Sequence, residues 1–498
     1  MSLFTTSVHS RKNVTTIIIG LILFVTILSL GFFSRQSIRL DESQSLWQTS
    51  HTPTKILNII AQDVHVPFYH VLLHFWQLFL GNSVFSGRIF SLLFFILSIP
   101  AIYFLGKRAF GRSIGVFAAV LLAISPFMNW YGNEIRMYSL FTLLTIMSQY
   151  FFIGIYQYHD NDSWIGYFLV SLFGIFTHYF FFFVLIVQAI FYLMYRYLFP
   201  PRALRRFALI GIIILALFSP WILYVQNLQT VTNATPILSP PTSVNIFNTF
   251  SQFIFGFQND HLNTILVSLW PLTVLFGFLA LRQNRKVTPE SVYILMSILI
   301  PIAAAFIVSV TLRPLFVSRY LILTIPSMYL FIGWIFSTYP KPLEKTLKAI
   351  LIFAMLASLA VEAISPSTPA KENYREAAEY LEQNTAPQDI VILSAPFTVY
   401  PIEYYYRGSA EIATLPMWNR FITGPIPGFD ENKLPEEVET LKGSHERAWV
   451  LLSYDQGYEE TIRLYFDRNF ERIDMKTFST GLTLYVYRLR YDPRVLGQ

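Results

Sequence analysis

The chain has 498 residues, 54% of them hydrophobic and only 13% charged, with 47 Phe and 29 Tyr; this balance excludes disordered, collagen-like and disulfide-stapled classes and describes a membrane protein. Cys is absent, which excludes disulfides, Cys-ligated zinc and iron–sulfur clusters. The net charge is +6, from 36 Lys+Arg against 30 Asp+Glu, and the distribution of those charges argues against nucleic acid as a partner.

Taken in chain order, apolar runs bounded by charges or Pro predict about eleven transmembrane helices. They fall at residues 14–34, 84–106, 112–127, 136–156, 164–178, 179–199, 205–225, 262–281, 290–311, 319–337 and 345–364. The first run has no small-residue cleavage site behind it and is expected to remain as an anchor. Residues 164–195 contain no Asp, Glu, Lys or Arg, so the division there is set at His178. With the N-terminus cytoplasmic, fifteen Lys and Arg before residue 365 fall on the inner side and seven on the outer side. That bias predicts an odd number of spans and an outer C-terminus.

After Ser365-Pro366 the composition changes: residues 370–498 hold 14 of the Lys+Arg and 20 of the Asp+Glu. A helix at 372–383, short apolar runs at 389–393, 448–453 and 482–488, and a helical pattern at 459–468 predict a soluble α/β domain on the outer face, residues 366–498. The remainder, 1–365, is the transmembrane domain, with a first outer loop at 35–83. No internal repeat of the kind found in many transporters is visible.

Ten carboxylates lie in the membrane part, and six face outward by this topology: Asp41, Glu42, Asp63, Glu134, Asp260 and Glu362. Asp41 and Glu42 are adjacent just beyond the first span, where one can serve as a base near an acceptor hydroxyl while the other holds a cation or backbone. A solvated charge pair is the plainer reading. His65 precedes Pro67, in extended backbone suited to pointing into a site. His70 and His74, four apart on a helix too short to span, share a face either as interfacial packing or as a metal pair. Glu134 and Arg136 stand at the mouth of a span with Trp130, Tyr131 and Tyr138, where a guanidinium suits a phosphate and aromatic rings suit a sugar or a prenyl chain; an aromatic belt with an anchoring Arg is the alternative. Arg313 and Arg319, followed by Tyr320, form a second outward basic group that either binds an anion or touches lipid headgroups. The nearly uncharged loop 226–260, with Pro236, Pro240 and Pro241, reads as a mobile cover.

In order and sidedness, these segments resemble the membrane-embedded glycosyltransferases of the C-type fold, in particular glycosyltransferase family 39, which includes protein O-mannosyltransferases and lipid A aminoarabinose transferases. The resemblance rests on Leu40-Asp41-Glu42, His65-Val-Pro67-Phe-Tyr69, Gly81 and Arg88, and Asn133-Glu134-Ile-Arg136-Met-Tyr138-Ser139. It continues in Thr177-His178-Tyr179, Ser318-Arg319-Tyr320 and Asn373-Tyr374-Arg375. The family more often has His-Pro-Pro where this chain has His65-Val66-Pro67. The resemblance implies a polyprenyl-phosphate sugar donor, an acceptor glycolipid, envelope glycan or protein, and an active site on the outer face of the cytoplasmic membrane. It implies Asp41 as catalytic base with Glu42 in support, Arg136 and Arg319 on the donor phosphate, Tyr138, Tyr320 and His65 shaping that site, and Glu134 and Arg88 supporting it. No cofactor is required; some relatives use a divalent metal, for which Asp41, Glu42 and His65 are the candidate ligands. No G-x-x-x-x-G-K-[ST] phosphate loop is present. The rival readings are a transporter or flippase, which should carry ionisable residues in mid-span, and a non-catalytic assembly or sensing protein.

Overall fold

The computed structural model describes all residues except 1, 34–35, 64, 233–238, 259–263, 266–267, 269–286, 366–371, 422–425, 455 and 491–498, and describes only the backbone of residues 2–12 and 229–232. Two compact units result, one of Met1–Ser34, Val64–Gln226 and Thr235–Ser365, the other of Arg35–Asp63, Asn227–Ala234 and Pro366–Gln498.

The first unit is helical: α1 (Ser2–Phe33), α4 (Phe68–Leu80), α5 (Val84–Ala109), α6 (Arg112–Ile124), α7 (Pro126–Tyr131), α8 (Tyr138–Tyr158), α9 (Asn161–Thr177), α10 (Phe181–Met194), α11 (Ala203–Thr232) and α12 (Ser243–Phe255), then Pro289–Thr311, a 3-10 segment Ser318–Thr324, Ile325–Phe336 and Lys341–Ile364. Local chemistry starts several of them. The Ser83 hydroxyl accepts from the N–H of Ser86 at 3.1 Å and the Asp160 carboxylate from that of Ser163 at 2.6 Å, each satisfying an N–H that has no partner inside its helix. Gly81 ends α4 at φ +80°, a conformation that a side chain disfavours.

Among the described residues, seven helices are long and apolar enough to cross a membrane: Asn13–Phe33, Val84–Ala109, Tyr138–Tyr158, Ala203–Leu228, Pro289–Thr311, Ser318–Phe336 and Lys341–Ile364. Of the other expected spans, α6, α9 and α10 are shorter, at 13, 17 and 14 residues, and residues 262–281, like Asp260, lie outside the described residues. α9 ends at Thr177 and α10 begins at Phe181, so the break falls at His178. The long loop read as a mobile cover contains a helix, α12. Its start is fixed by the side-chain oxygen of Asn245, which accepts from the Thr242 N–H at 2.7 Å, and it buries Thr249 and Phe253.

In the second unit α2 (Leu40–Thr49) and α3 (Pro53–Gln62) join a five-stranded sheet of order β2-β1-β3-β5-β4. The strands are β1 (Ile390–Ser394), β2 (Glu411–Thr414), β3 (Arg447–Ser453), β4 (Glu471–Ser479) and β5 (Leu482–Arg488). β1 runs parallel to β2 and β3, whereas β5 is antiparallel to β3 and β4. β1 is buried on both faces and reads as a continuous apolar run, as parallel strands do. One face packs against Tyr374–Asn384 and Val399–Tyr405 and receives Trp47 of α2; the other packs against Leu434–Lys442 and Glu459–Asn469. Two hydrogen bonds add to this: the Ile38 N–H donates to the Tyr405 hydroxyl at 2.9 Å, and the Arg375 N–H donates to the Ser37 hydroxyl at 3.1 Å.

At the start of β1, the fully buried Asp389 accepts from Arg447 Nε at 2.9 Å and Nη2 at 2.7 Å, from Trp449 Nε1 at 3.2 Å and from the Ala386 N–H at 2.8 Å. Removing that carboxylate strands several donors at once, so Asp389→Ala is expected to destabilise this unit by about 3 kcal/mol. Cleavage of the purified full chain by a fixed amount of protease should accelerate about a hundredfold within residues 366–498; an unchanged cleavage rate contradicts the expectation.

Candidate active site

Arg136 sits in the turn between α7 and α8, where the chain makes a tight loop: its own N–H donates to the Glu134 carbonyl at 2.6 Å. The turn is fixed from several sides. Ser125, ahead of Pro126, caps α7 by accepting from the Met128 N–H at 3.2 Å, and receives the Tyr329 hydroxyl at 2.7 Å. Asn129 donates to the carbonyls of Ala123 and Ser125 at 2.9 and 2.8 Å. Asn133 donates to the Asn129 carbonyl at 2.8 Å and accepts from Ser29 of α1 at 2.9 Å. Gly87 of α5 lies against the same turn, where an added Cβ would meet Ile135 Cδ1 at 2.7 Å. The sequence signal for this scaffold was the dense polar run after Ser125-Pro126; the contribution of Ser29, near the end of the first span, carried no local signal.

The result is a buried cation in an apolar bundle. Arg136 is 3% exposed and Glu134 4%. Arg136 Nη1 is 3.3 Å from His65 Nε2, and the His65 ring stacks on His70 with centroids 6.0 Å apart. Tyr138, fully buried at the start of α8, meets Tyr131 edge-on at 5.2 Å, and Tyr131 meets Phe257 at 5.9 Å. His65, Arg136 and Glu134 are thus brought together with Tyr138 close by along the chain. His70 is buried beside His65, while His74, half-buried, faces Phe75.

Arg319 is half-buried in the 3-10 segment Ser318–Thr324, with its guanidinium 5.7 Å from the Tyr320 ring centre. Tyr320 packs on His178 at 5.3 Å and on Phe180 at 5.5 Å, and His178 stacks on Phe141 of α8 at 4.6 Å. His178 accepts from the Phe180 N–H at Nδ1, which fixes its ring between α9 and α10. Arg88 is buried on α5, donating to the Phe33 carbonyl at 3.4 Å and lying over the Phe33 ring. In this setting Arg88 ties α5 to the end of α1. Arg313 is exposed.

In the second unit, Asp41 and Glu42 occupy the first turn of α2, where carboxylates favour the helix dipole. Their settings differ. Glu42 is fully buried and its Oε2 accepts from the Arg39 N–H at 2.9 Å, closing the start of the helix. Asp41 is half-buried, and its carbonyl accepts from the Ser45 hydroxyl. Glu372, absent from the sequence-based candidates because it lies over three hundred residues away, belongs to the same surroundings. Burial pushes its carboxyl above the ordinary value of 4.5 and the charge of Asp41 adds to this, while its own backbone and Arg39 pull the other way. Asp63 accepts from the side-chain amides of Gln44 and Gln48 at 3.3 and 3.0 Å.

A raised carboxyl favours the folded state while protonated, and that advantage is lost as pH rises through its folded-state value. Glu372→Gln, which imitates the protonated form, is therefore expected to match the native chain in unfolding temperature at acid pH and to exceed it progressively above the ordinary carboxylate range. Thermal unfolding across a pH series checks this; a constant offset at every pH contradicts it. Among the described residues, no three His, Asp or Glu side chains gather in a group able to hold a metal ion.

The helical bundle of the first unit and the small mixed sheet of the second have the fold of the membrane glycosyltransferases of the GT-C type. Residues 64–224 match the family model described as dolichyl-phosphate-mannose-protein mannosyltransferase. Among solved structures, the chain is similar to ArnT from Cupriavidus metallidurans in the apo state, with 11% identity, coverage of 96% of this chain and 98% of that one, and a TM-score of 0.61. It is similar to ArnT bound to undecaprenyl phosphate, with 12% identity, coverage of 95% and 97%, and a TM-score of 0.60. An oligosaccharyltransferase from Archaeoglobus fulgidus matches at 11% identity, 94% and 72% coverage and a TM-score of 0.54, and the mycobacterial arabinofuranosyltransferase AftD at 13%, 97% and 40%, and 0.55. No curated protein matches the chain.

Proposed function

We propose that the chain transfers a sugar from a polyprenyl-phosphate donor to an acceptor hydroxyl on the outer face of the cytoplasmic membrane, with its N-terminus inside and residues 366–498 outside. The observation that carries this reading is Arg136, a guanidinium buried in an apolar bundle on a turn held by at least six hydrogen bonds. Such a group stabilises charge without having to reorganise as the reaction proceeds. The full-length likeness to ArnT, solved with undecaprenyl phosphate, supports the donor class.

The roles in the reaction are those that the resemblance implies. The acceptor oxygen bonds to the anomeric carbon as its proton passes to the Asp41 carboxylate. The bond from that carbon to the phosphate oxygen breaks, and its electron pair stays on the lipid phosphate, where Arg136 and Arg319 neutralise it. Attack opposite the leaving phosphate inverts the anomeric centre. Glu42, committed to the Arg39 N–H, supports Asp41 by fixing the start of α2, and Glu372 shares its surroundings. Tyr138, Tyr320 and His65 shape the phosphate side. The reaction needs no nucleotide, because the lipid phosphate is already the leaving group.

The test is to incubate membranes carrying the protein, and membranes lacking it, with radiolabelled polyprenyl-phosphate sugars and native envelope extract. Label leaving the lipid only where the protein is present establishes the transferase and names its sugar. If every donor stays intact in both, the reading is wrong.

A further inference from the structure

The second unit contains a cavity of about 390 Å³ between α3 and the segment that follows β2, lined by Trp47, Lys55, Asn58, Gln62, Arg420 and Phe421, with Thr54 and Ile59 at its side. Its volume falls among those that hold small ligands, about 300–1,000 Å³, and suits a group the size of a disaccharide. The lining is chemically mixed in a particular way. Trp47 and Phe421 lie 6.3 Å apart, and Trp47 is held from behind by Tyr400 at 5.1 Å. Aromatic faces of this kind take the C–H face of a sugar ring. Asn58 and Gln62 are one helical turn apart and already linked at 2.8 Å, presenting amides suited to hydroxyls.

The charge is one-sided. Lys55 and Arg420 line the cavity, and no carboxylate does among the described residues. Arg420 is itself only 13% exposed: Glu403 binds its Nη2, its guanidinium lies 4.5 Å from the Phe421 ring centre, and its Nε is buried without a hydrogen-bond partner among the described residues. A buried donor left in this state costs free energy until something accepts from it. Lys55 is exposed on α3 and adds a second cation.

We propose that this cavity is an acceptor subsite that seats an anionic sugar, a ring bearing phosphate or carboxylate, with the ring against the wall formed by Trp47 and Phe421 and the anion on Arg420 and Lys55. The proposal rests on the transferase reading and narrows its acceptor to negatively charged glycans.

Binding to the purified full chain, measured without donor, tests it with three tetrasaccharides: phosphorylated maltotetraose, tetragalacturonate and neutral maltotetraose. One or both charged glycans should bind at least about tenfold more tightly than the neutral one, and which of them does so identifies the anion. Binding should weaken as salt rises. Lys55→Gln, at an exposed position, should weaken charged-glycan binding about fivefold, and Arg420→Gln more than that. The proposal is overturned if the neutral glycan binds equally well, if Lys55→Gln changes nothing, or if inorganic phosphate binds as tightly as phosphorylated maltotetraose. Failure of the transferase reading shows separately, as donor left intact by the native chain.

Discussion

Asp41→Asn is expected to lower sugar transfer by a factor of about 10³ or more while leaving prenyl-phosphate binding unchanged. The amide has the size of the carboxylate and keeps α2 intact, since the cap at its start comes from Glu42 and the backbone bond at Asp41 comes from its carbonyl. In the proposed reaction, what is lost is the ability to take the acceptor's proton, a contribution of about 10²–10⁴, together with the negative charge that orients the hydroxyl. Single-turnover transfer of label, read beside equilibrium binding of labelled prenyl phosphate, separates the two. Transfer within tenfold of the native rate would remove Asp41 from the chemistry.

Arg136→Gln is expected to cost about 10²–10³ in transfer and to weaken prenyl-phosphate binding as well, because this side chain is assigned to the ground-state phosphate and to the charge that grows on it. Arg136→Lys should recover only part of the loss: an ammonium restores the charge and not the two-pronged geometry. His65→Ala, which removes a neighbour of the guanidinium, should cost less than either. A parallel loss of folding would confuse the result, so the unfolding temperature of each variant must stay near the native one. If Arg136→Gln transfers sugar within threefold of the native chain, the phosphate lies elsewhere.

The membrane helices were readable because span length and apolarity are local properties; Tyr138–Tyr158 and Pro289–Thr311 fall within two residues of their expected ends. In the C-terminal part, β1, β3, β5 and two helices announced themselves as apolar runs or periodic patterns. β4 did not: Glu471–Ser479 is a polar, largely exposed edge strand, with Arg472, Asp474 and Lys476 guarding it. β2 escaped notice through its four-residue length. The candidate residues were legible as isolated polar groups in apolar surroundings. The cap made by Glu42 could be anticipated in kind, but Glu372 and the tie from Ser29 to Asn133 depend on contacts between segments far apart in the chain, which no local pattern encodes.

The sharing of one apolar core by Trp47 and the C-terminal sheet has a consequence for anyone recombining such chains. Residues 36–63 and 372–490 contribute to one core from two places in the chain, so exchanging the C-terminal part alone between relatives would bring together halves of two different cores. Substrate preference should therefore travel between relatives only when the segment that bears Asp41 moves together with the distant sheet, and surveys of natural variation should find the two changing in concert.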